Sequence, residues 1–127
     1  MNFSELLKKA QAVTKPTMLS PWAEAGSVGA AILTQNGHVY VGVCIDTACS
    51  MGFCAEHAAA ASMVTNGENK IAKVIAVNSE GIIFPPCGRC REFLSQLAVE
   101  NLEAEVMVNA HTIVKLKDLL PYDWRIQ

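Results

Sequence analysis

Three of the five cysteines in this 127-residue chain fall in a pattern that could do chemistry: Cys54-Ala55-Glu56 and, farther along, Pro86-Cys87-Gly88-Arg89-Cys90. Three thiolates around a Zn²⁺ ion leave a fourth tetrahedral position open, which is what separates a catalytic zinc from a structural one. Water can fill that position, and a carboxylate two residues from a ligand, Glu56, can carry a proton between the water and a departing amine. A Cys-x-x-Cys pair has two other readings, half of a four-cysteine structural zinc site or a redox dithiol. The first needs a fourth ligand from Cys44 or Cys49, neither of which has a partner at that spacing. The second leaves Cys54 and Glu56 without a purpose, so the pattern points to catalytic zinc.

These residues need elements that bring them together. Ala55 to Thr65 reads as a helix stopped at Asn66-Gly67, and Arg89 to Ala98 reads as another, so Cys54 and Cys87 both fall at helix N-termini. The unsatisfied N–H groups and partial positive charge there favour thiolate, the form that binds zinc. Cys87 and Cys90 are three apart and share one side of a helical turn. The 32 residues between Cys54 and Cys87 hold a helix, a strand and a loop, enough chain to return to the same end of a sheet.

Elsewhere, Ser4 is the expected cap of a first helix carrying Leu6, Leu7, Ala10 and Val13 on one face and ending before Pro16. Val28 to Thr34 and His38 to Val43 flank Gln35-Asn36-Gly37, a hairpin signature. Residues 44 to 53 read as an irregular loop. Lys73 to Asn78 and Glu105 to Asn109 read as strands, and a short segment around Lys117 to Leu120 stops at Pro121. This order predicts one domain over residues 1–127, a three-layer α/β/α sandwich with a mixed sheet.

Composition narrows the function classes. Hydrophobic residues make up 51% of the chain and charged residues 17%, apolar for so small a domain, which predicts an oligomer. A net charge of −2 with scattered Lys and Arg gives no stripe to neutralise phosphates, so nucleic acid is not an expected partner. No membrane span and no apolar signal core are expected. Five cysteines without an export signal predict a reducing compartment, most simply the cytoplasm.

Taken together, these residues resemble the cytidine deaminase superfamily, in particular its small cytidine deaminase and blasticidin S deaminase branch. Val28-Gly29-Ala30-Ala31 followed by Gly37 and Gly42 is similar to that branch's opening hairpin, and Leu119-Leu120-Pro121-Tyr122-Asp123-Trp124 to its C-terminal signature. The resemblance covers nearly the whole chain and implies a five-stranded mixed sheet. It implies Cys54, Cys87 and Cys90 as zinc ligands, and Glu56 as the acid and base that protonates ring N3 and then the leaving ammonia. It further implies that the Pro85 carbonyl accepts from the substrate amino group, that N–H groups at Ala55 and Glu56 face the ring carbonyl, and that Trp124 lies against a pyrimidine. Small members are typically homotetramers that share residues between sites.

The chain departs from the cytidine enzymes at several positions. Their ribose is held by Asn-x-Glu at the end of the second strand, where this chain reads Cys44-Ile45-Asp46, followed by one loop residue fewer before the zinc helix. His57 stands where an arginine usually sits beside the cluster, and either His57 or Arg91 is the candidate donor offsetting the excess thiolate charge. Glu92 takes the place of a usual glutamine and is given no role. His38 and His111 read as isolated surface residues, Cys49 as a loop residue, and Trp22 as a cover for the cavity or a subunit contact. The expected function is zinc-dependent hydrolytic deamination of a free cytosine nucleoside or related aminopyrimidine. A blasticidin S type or modified-cytidine deaminase is the neighbouring possibility, and a catalytically silent zinc-stabilised binding protein the distant one.

Overall fold

In the computed structural model, which describes residues 1–126, helices and strands follow one another as α1 (Phe3–Val13), β1 (Thr17–Ser20), β2 (Ala23–Thr34), β3 (Val39–Thr47), α2 (Ala55–Thr65), β4 (Ile71–Asn78), α3 (Gly88–Gln96), β5 (Glu105–Asn109) and β6 (Thr112–Lys115). Short 3-10 turns cover Ala48–Ser50, Val99–Glu103 and Leu116–Leu119. The β2–β3 hairpin turns at Asn36-Gly37, where Gly37 has φ +87° and Gly37 N donates to Thr34 O at 3.0 Å. Helix α1 is capped by Asn2, whose side chain accepts from Glu5 N at 2.9 Å, rather than by Ser4. Asn is as good a cap as Ser, and the helix simply starts two residues earlier.

The long strand β2 is the axis of the sheet. It pairs antiparallel with β3 from Ala23↔Thr47 to Leu33↔Val39 and, along its other edge, with β4 from Val28↔Asn78 to Thr34↔Ile71. Strand β1 pairs with the start of β2. Strands β4 and β5 are parallel, and β6 closes the far edge antiparallel to β5. The sheet is mixed, as the sequence predicts, but has six strands rather than five. Both short edge strands, β1 and β6, lack the continuous apolar run that marks the central ones, because they are covered less completely.

The period-two alternation of β2 and β4 separates two cores. Ala31, Leu33, Ile75 and Val77 face α1 with its Phe3, Leu6 and Ala10, whereas Ala30, Ile32, Val74 and Ala76 face Ala59, Ala60 and Met63 of α2 and Leu94 of α3. The result is the expected three-layer sandwich. Helix α2 lies unusually close to the sheet because its buried face is alanine and because Gly42 offers no side chain. A Cβ at Gly42 would stand 2.3 Å from Ala59 N and 2.6 Å from Ala58 Cβ. Asn101, fully buried, ties α3 to the start of β4: its amide donates to Leu94 O and Asn69 O, each at 3.0 Å, and its carbonyl accepts from Ile71 N at 2.8 Å.

Candidate metal centre and substrate cavity

The segment entering α2 is sewn to the sheet, which is why Cys54 arrives in a fixed place. Strand β3 runs on to Thr47 instead of dissolving at residue 44, and Ile45 and Phe53 exchange backbone bonds of 3.1 and 2.9 Å in a bridge. Gly52 makes this possible, since a Cβ there would lie 1.9 Å from Ile45 O. The intervening turn is tight enough to force Cys49 and Ser50 to φ of 61° and 56°, a conformation that costs energy for residues with a Cβ. Ala48 N is anchored on Trp22 O at 3.0 Å. Cys54 is then the N-cap of α2, and Glu56 enters its first turn.

A second return brings Cys87 beside it. After β4, Asn78 accepts from Glu80 N and Ile82 N, and the chain doubles back so that Val77 pairs with Ile83 and Phe84 N donates to Ala76 O at 3.1 Å. Pro85 and Pro86 then deliver Cys87 as the N-cap of α3, with Cys90 one turn on. Arg91 fastens this approach. Its Nε donates to Pro86 O at 2.8 Å, and Nη1 reaches Leu119 O at 3.5 Å.

The two helix starts bring four donor atoms together. Cys54 Sγ lies 3.5 Å from Cys87 Sγ, and His57 Nδ1 lies 3.2 Å from Cys90 Sγ. The donor atoms of Cys54, His57 and Cys90 are all within 4.8 Å of one another. Three sulfurs and an imidazole converging in a half-buried site are the soft and borderline donors that zinc prefers, so the residues present fit that ion. His57 is stacked on Phe93 with ring centres 4.1 Å apart, which holds its Nδ1 toward the Cys90 sulfur.

Electrostatics differ among the four. Burial pushes the Cys54 thiol up, with the neighbouring Cys87 sulfur adding to it. Cys90 is held well above the ordinary thiol value, by burial first and then by the charges of Glu56 and Cys54. Burial opposes ionisation of Cys87 too, but there the Cys90 N–H, the Cys54 and Cys90 sulfurs and the Arg89 N–H prevail and bring it below its usual value. His57 is shifted down by burial and by the Arg89 charge. Glu56 is 5% exposed, and burial raises its carboxyl above the ordinary range.

These groups sit at one side of a cavity of about 510 Å³, which also has Ser27, Cys44, Asp46, Thr47 and Arg89 in its wall. Ala55 and Pro85 line it as well. Of the residues singled out from sequence, Cys44, Asp46, Cys54, Ala55, Glu56, Pro85 and Cys87 thus meet at one cavity, with Cys90 and His57 directly against the thiols. Arg91 lies instead on two backbone carbonyls, and the cation whose charge acts on His57 is Arg89. Trp124 stands apart, 61% exposed in a separate groove with Ser95, Val99 and Leu102, its Nε1 donating to Glu92 Oε1 at 3.1 Å. Glu92, given no role from sequence, thereby anchors the C-terminal segment. His38 is not isolated: its Nδ1 meets Glu68 Oε2 at 2.8 Å. Ser27 and Arg89 escaped the sequence reading, because a single serine or arginine carries no spacing signal.

With the geometry in place, likeness to known proteins becomes specific. The model of the cytidine and deoxycytidylate deaminase zinc-binding region matches residues 3–106. A cytidine deaminase of Mycobacterium tuberculosis is 31% identical over 98 residues, 75% of this chain and 70% of that protein. One from Sporosarcina psychrophila is 37% identical over 71 residues, 54% and 52% of the two chains. The crystal structure of the M. tuberculosis enzyme superimposes with a TM-score of 0.80 at 26% identity, covering 96% of each chain. That of the Burkholderia pseudomallei cytidine deaminase gives 0.75 at 26% identity, covering 96% of this chain and 98% of the other. The chain belongs to the cytidine and deoxycytidylate deaminase family. It is a zinc-dependent hydrolase of the cytidine deaminase type.

Proposed function

We propose that this protein hydrolyses the exocyclic amino group of a free cytosine nucleoside or a related aminopyrimidine, releasing ammonia. The observation that carries this reading is the buried Glu56 carboxyl placed beside three converging thiols at a cavity large enough for a nucleoside. Cys54, Cys87 and Cys90 are the proposed ligands, with His57 donating from Nδ1 to the Cys90 sulfur and so drawing off part of the thiolate charge. Bound there, zinc supplies the Lewis acidity that makes water a nucleophile near neutral pH. Glu56 would take one proton of the attacking water and pass it to ring N3, then move the remaining hydroxyl proton of the C4 adduct to the amino group, which leaves as ammonia as the C4 carbonyl forms. Its raised affinity for a proton, caused by burial, suits both transfers. The Ala55 and Glu56 N–H groups, at the start of α2, meet the ring carbonyl, and the Pro85 carbonyl takes the substrate amino group.

The assembly we propose is a homotetramer in which Trp124 serves a neighbouring copy's cavity. Its exposure in a groove apart from the chain's own thiols supports that placement. Five free cysteines suit a reducing, cytoplasmic setting. No helix among the described residues is long and apolar enough to cross a membrane. Cys44 and Asp46 in place of an Asn-x-Glu pair favour a substrate whose sugar is held differently from plain cytidine, which keeps the blasticidin S type and modified cytidines on the substrate panel. Ammonia release from cytidine, deoxycytidine, cytosine, blasticidin S and N4- or C5-modified cytidines tests this. Turnover of at least one cytosine nucleoside is expected, with plain cytidine below the best compound. No turnover of any of them by zinc-replete protein refutes the reading.

A further inference from the structure

Cys44 does not face the cavity as a free group, because three neighbours already use its sulfur. The pairing of β2 with β3 slips between Ala25 and Gly29. Gly26, at φ +85° with no room for a Cβ beside Lys15 O, marks the bulge. There Val28 N donates to Cys44 Sγ at 3.3 Å, Ser27 Oγ lies 3.2 Å from the same sulfur, and Asp46 Oδ2 lies 4.0 Å from it. Cys44 is 7% exposed.

The donors and acceptors of this cluster can be counted. Val28 N–H can only donate, so the sulfur acts as an acceptor. Its one S–H proton has two candidate acceptors, the Ser27 hydroxyl at 3.2 Å and the Asp46 carboxylate at 4.0 Å, the outer limit of a sulfur hydrogen bond. In either direction the Ser27 hydroxyl is joined to the sulfur and so held in place. The remaining hydrogen-bonding capacity of Ser27 Oγ and the outer lone pairs of Asp46 are left for the cavity that both residues line.

We infer that Ser27 is a specificity-determining residue, and that together with Asp46 it forms a polar wall that hydrogen-bonds hydroxyl groups on the sugar of the substrate. Cys44 acts as a positioning residue that holds the Ser27 hydroxyl in place. This inference rests on the reading that the cavity takes a nucleoside, and it names what replaces the missing amide at the sugar end.

The test is isothermal titration of the full-length, zinc-loaded Glu56→Gln protein with cytidine, 2′-deoxycytidine, 3′-deoxycytidine and free cytosine, with and without Ser27→Ala. One hydrogen bond of about 1–1.5 kcal/mol corresponds to roughly a five- to tenfold weaker cytidine complex in Ser27→Ala. Cytosine is expected to bind within twofold of its parent affinity, which also reports an intact fold. One of the two deoxynucleosides should be insensitive to Ser27→Ala, since its missing hydroxyl is the one Ser27 serves. Cytidine affinity within twofold of the parent overturns the inference. So does parallel weakening of cytidine and cytosine, or of cytidine and both deoxynucleosides. Absence of ammonia release by the unmodified enzyme would instead refute the deaminase reading, while the titration still decides the role of Ser27.

Discussion

At the scale of single residues, the site depends on a carboxyl kept out of water. Glu56 is buried in the first turn of α2, two residues from Cys54, and no other carboxylate is buried at the cavity among the described residues. Glu56→Gln is therefore expected to retain zinc and melting temperature while lowering kcat by at least ~10²-fold, the scale of a positioned acid–base group. Elemental analysis beside steady-state kinetics checks both halves. Activity within a few-fold of the parent removes Glu56 from the mechanism. His57 offers a sharper distinction, since its Nδ1 is close enough to the thiols to be either a ligand or a donor to Cys90. As a donor, its replacement by alanine should leave about one zinc per chain, whereas Cys87→Ala should lose the metal; the reverse result makes His57 the third ligand.

Among elements, the approach of α2 to β3 sets the position of three of the five donor-bearing or acidic groups, and Gly42 sets that approach. Gly42→Ala must push backbone atoms of Ala58 and Ala59 outward, an overpacking change of about 1–3 kcal/mol. A lowered melting temperature accompanied by weaker zinc retention is expected. Unchanged stability would show that the helix is free to shift.

The hairpin end of the same layer carries a separate acidic device. Glu68, 10% exposed, accepts from Tyr40 Oη at 2.7 Å and Asn36 Nδ2 at 3.1 Å and meets His38 at 2.8 Å. The Tyr40 bond first, with Thr34, His38 and Asn36 behind it, holds the Glu68 carboxyl down at about 2, below its ordinary 4.5. A carboxyl whose folded value is depressed stabilises the fold above the unfolded value and loses that contribution as pH falls through the folded one. The difference in melting temperature between the parent and Glu68→Gln should accordingly be largest near neutrality and shrink between pH 4.5 and 2. A gap that stays constant over this range contradicts the assignment. The same bond pushes the Tyr40 phenol up, so its stabilising share is present below pH 10 and lost above it.

The whole molecule leaves a large apolar area uncovered. Met18, Leu19, Trp22, Met51, Tyr122, Trp124 and Ile126 are all exposed, more than a solitary small domain ordinarily presents. A tetramer is expected in light scattering, and a fully active monomer at assay concentration would contradict both the assembly and the shared placement of Trp124. Zinc is the other global constraint, because held by the proposed ligands it would join the starts of α2 and α3. Removal by a chelator should lower the melting temperature, and added zinc should restore it.

Much of this was legible without coordinates, for physical reasons. The hairpin followed from Asn36-Gly37 between apolar runs, the buried strand β4 from its apolar Val74-Ile75-Ala76-Val77 run, and the convergence of Cys54, Cys87 and Cys90 from ligand chemistry together with helix-start positions. Such features are written in local spacing. The edge strands were not legible, since four-residue segments at a sheet margin owe their pairing to a neighbour rather than to their own pattern. Nor was the continuation of β3 past Cys44, which depends on the bridge from Ile45 to Phe53 that only the folded chain supplies. The roles of Ser27, Arg89 and Arg91 were likewise decided by tertiary structure. Each is a single polar side chain with no periodicity of its own, and what it does is fixed by which atoms the fold brings within reach: a thiol, a cavity wall, or two backbone carbonyls. Local chemistry thus determined the metal and the layers, while the cavity wall around Cys44 was settled by a bulge and a bridge between segments distant in the chain.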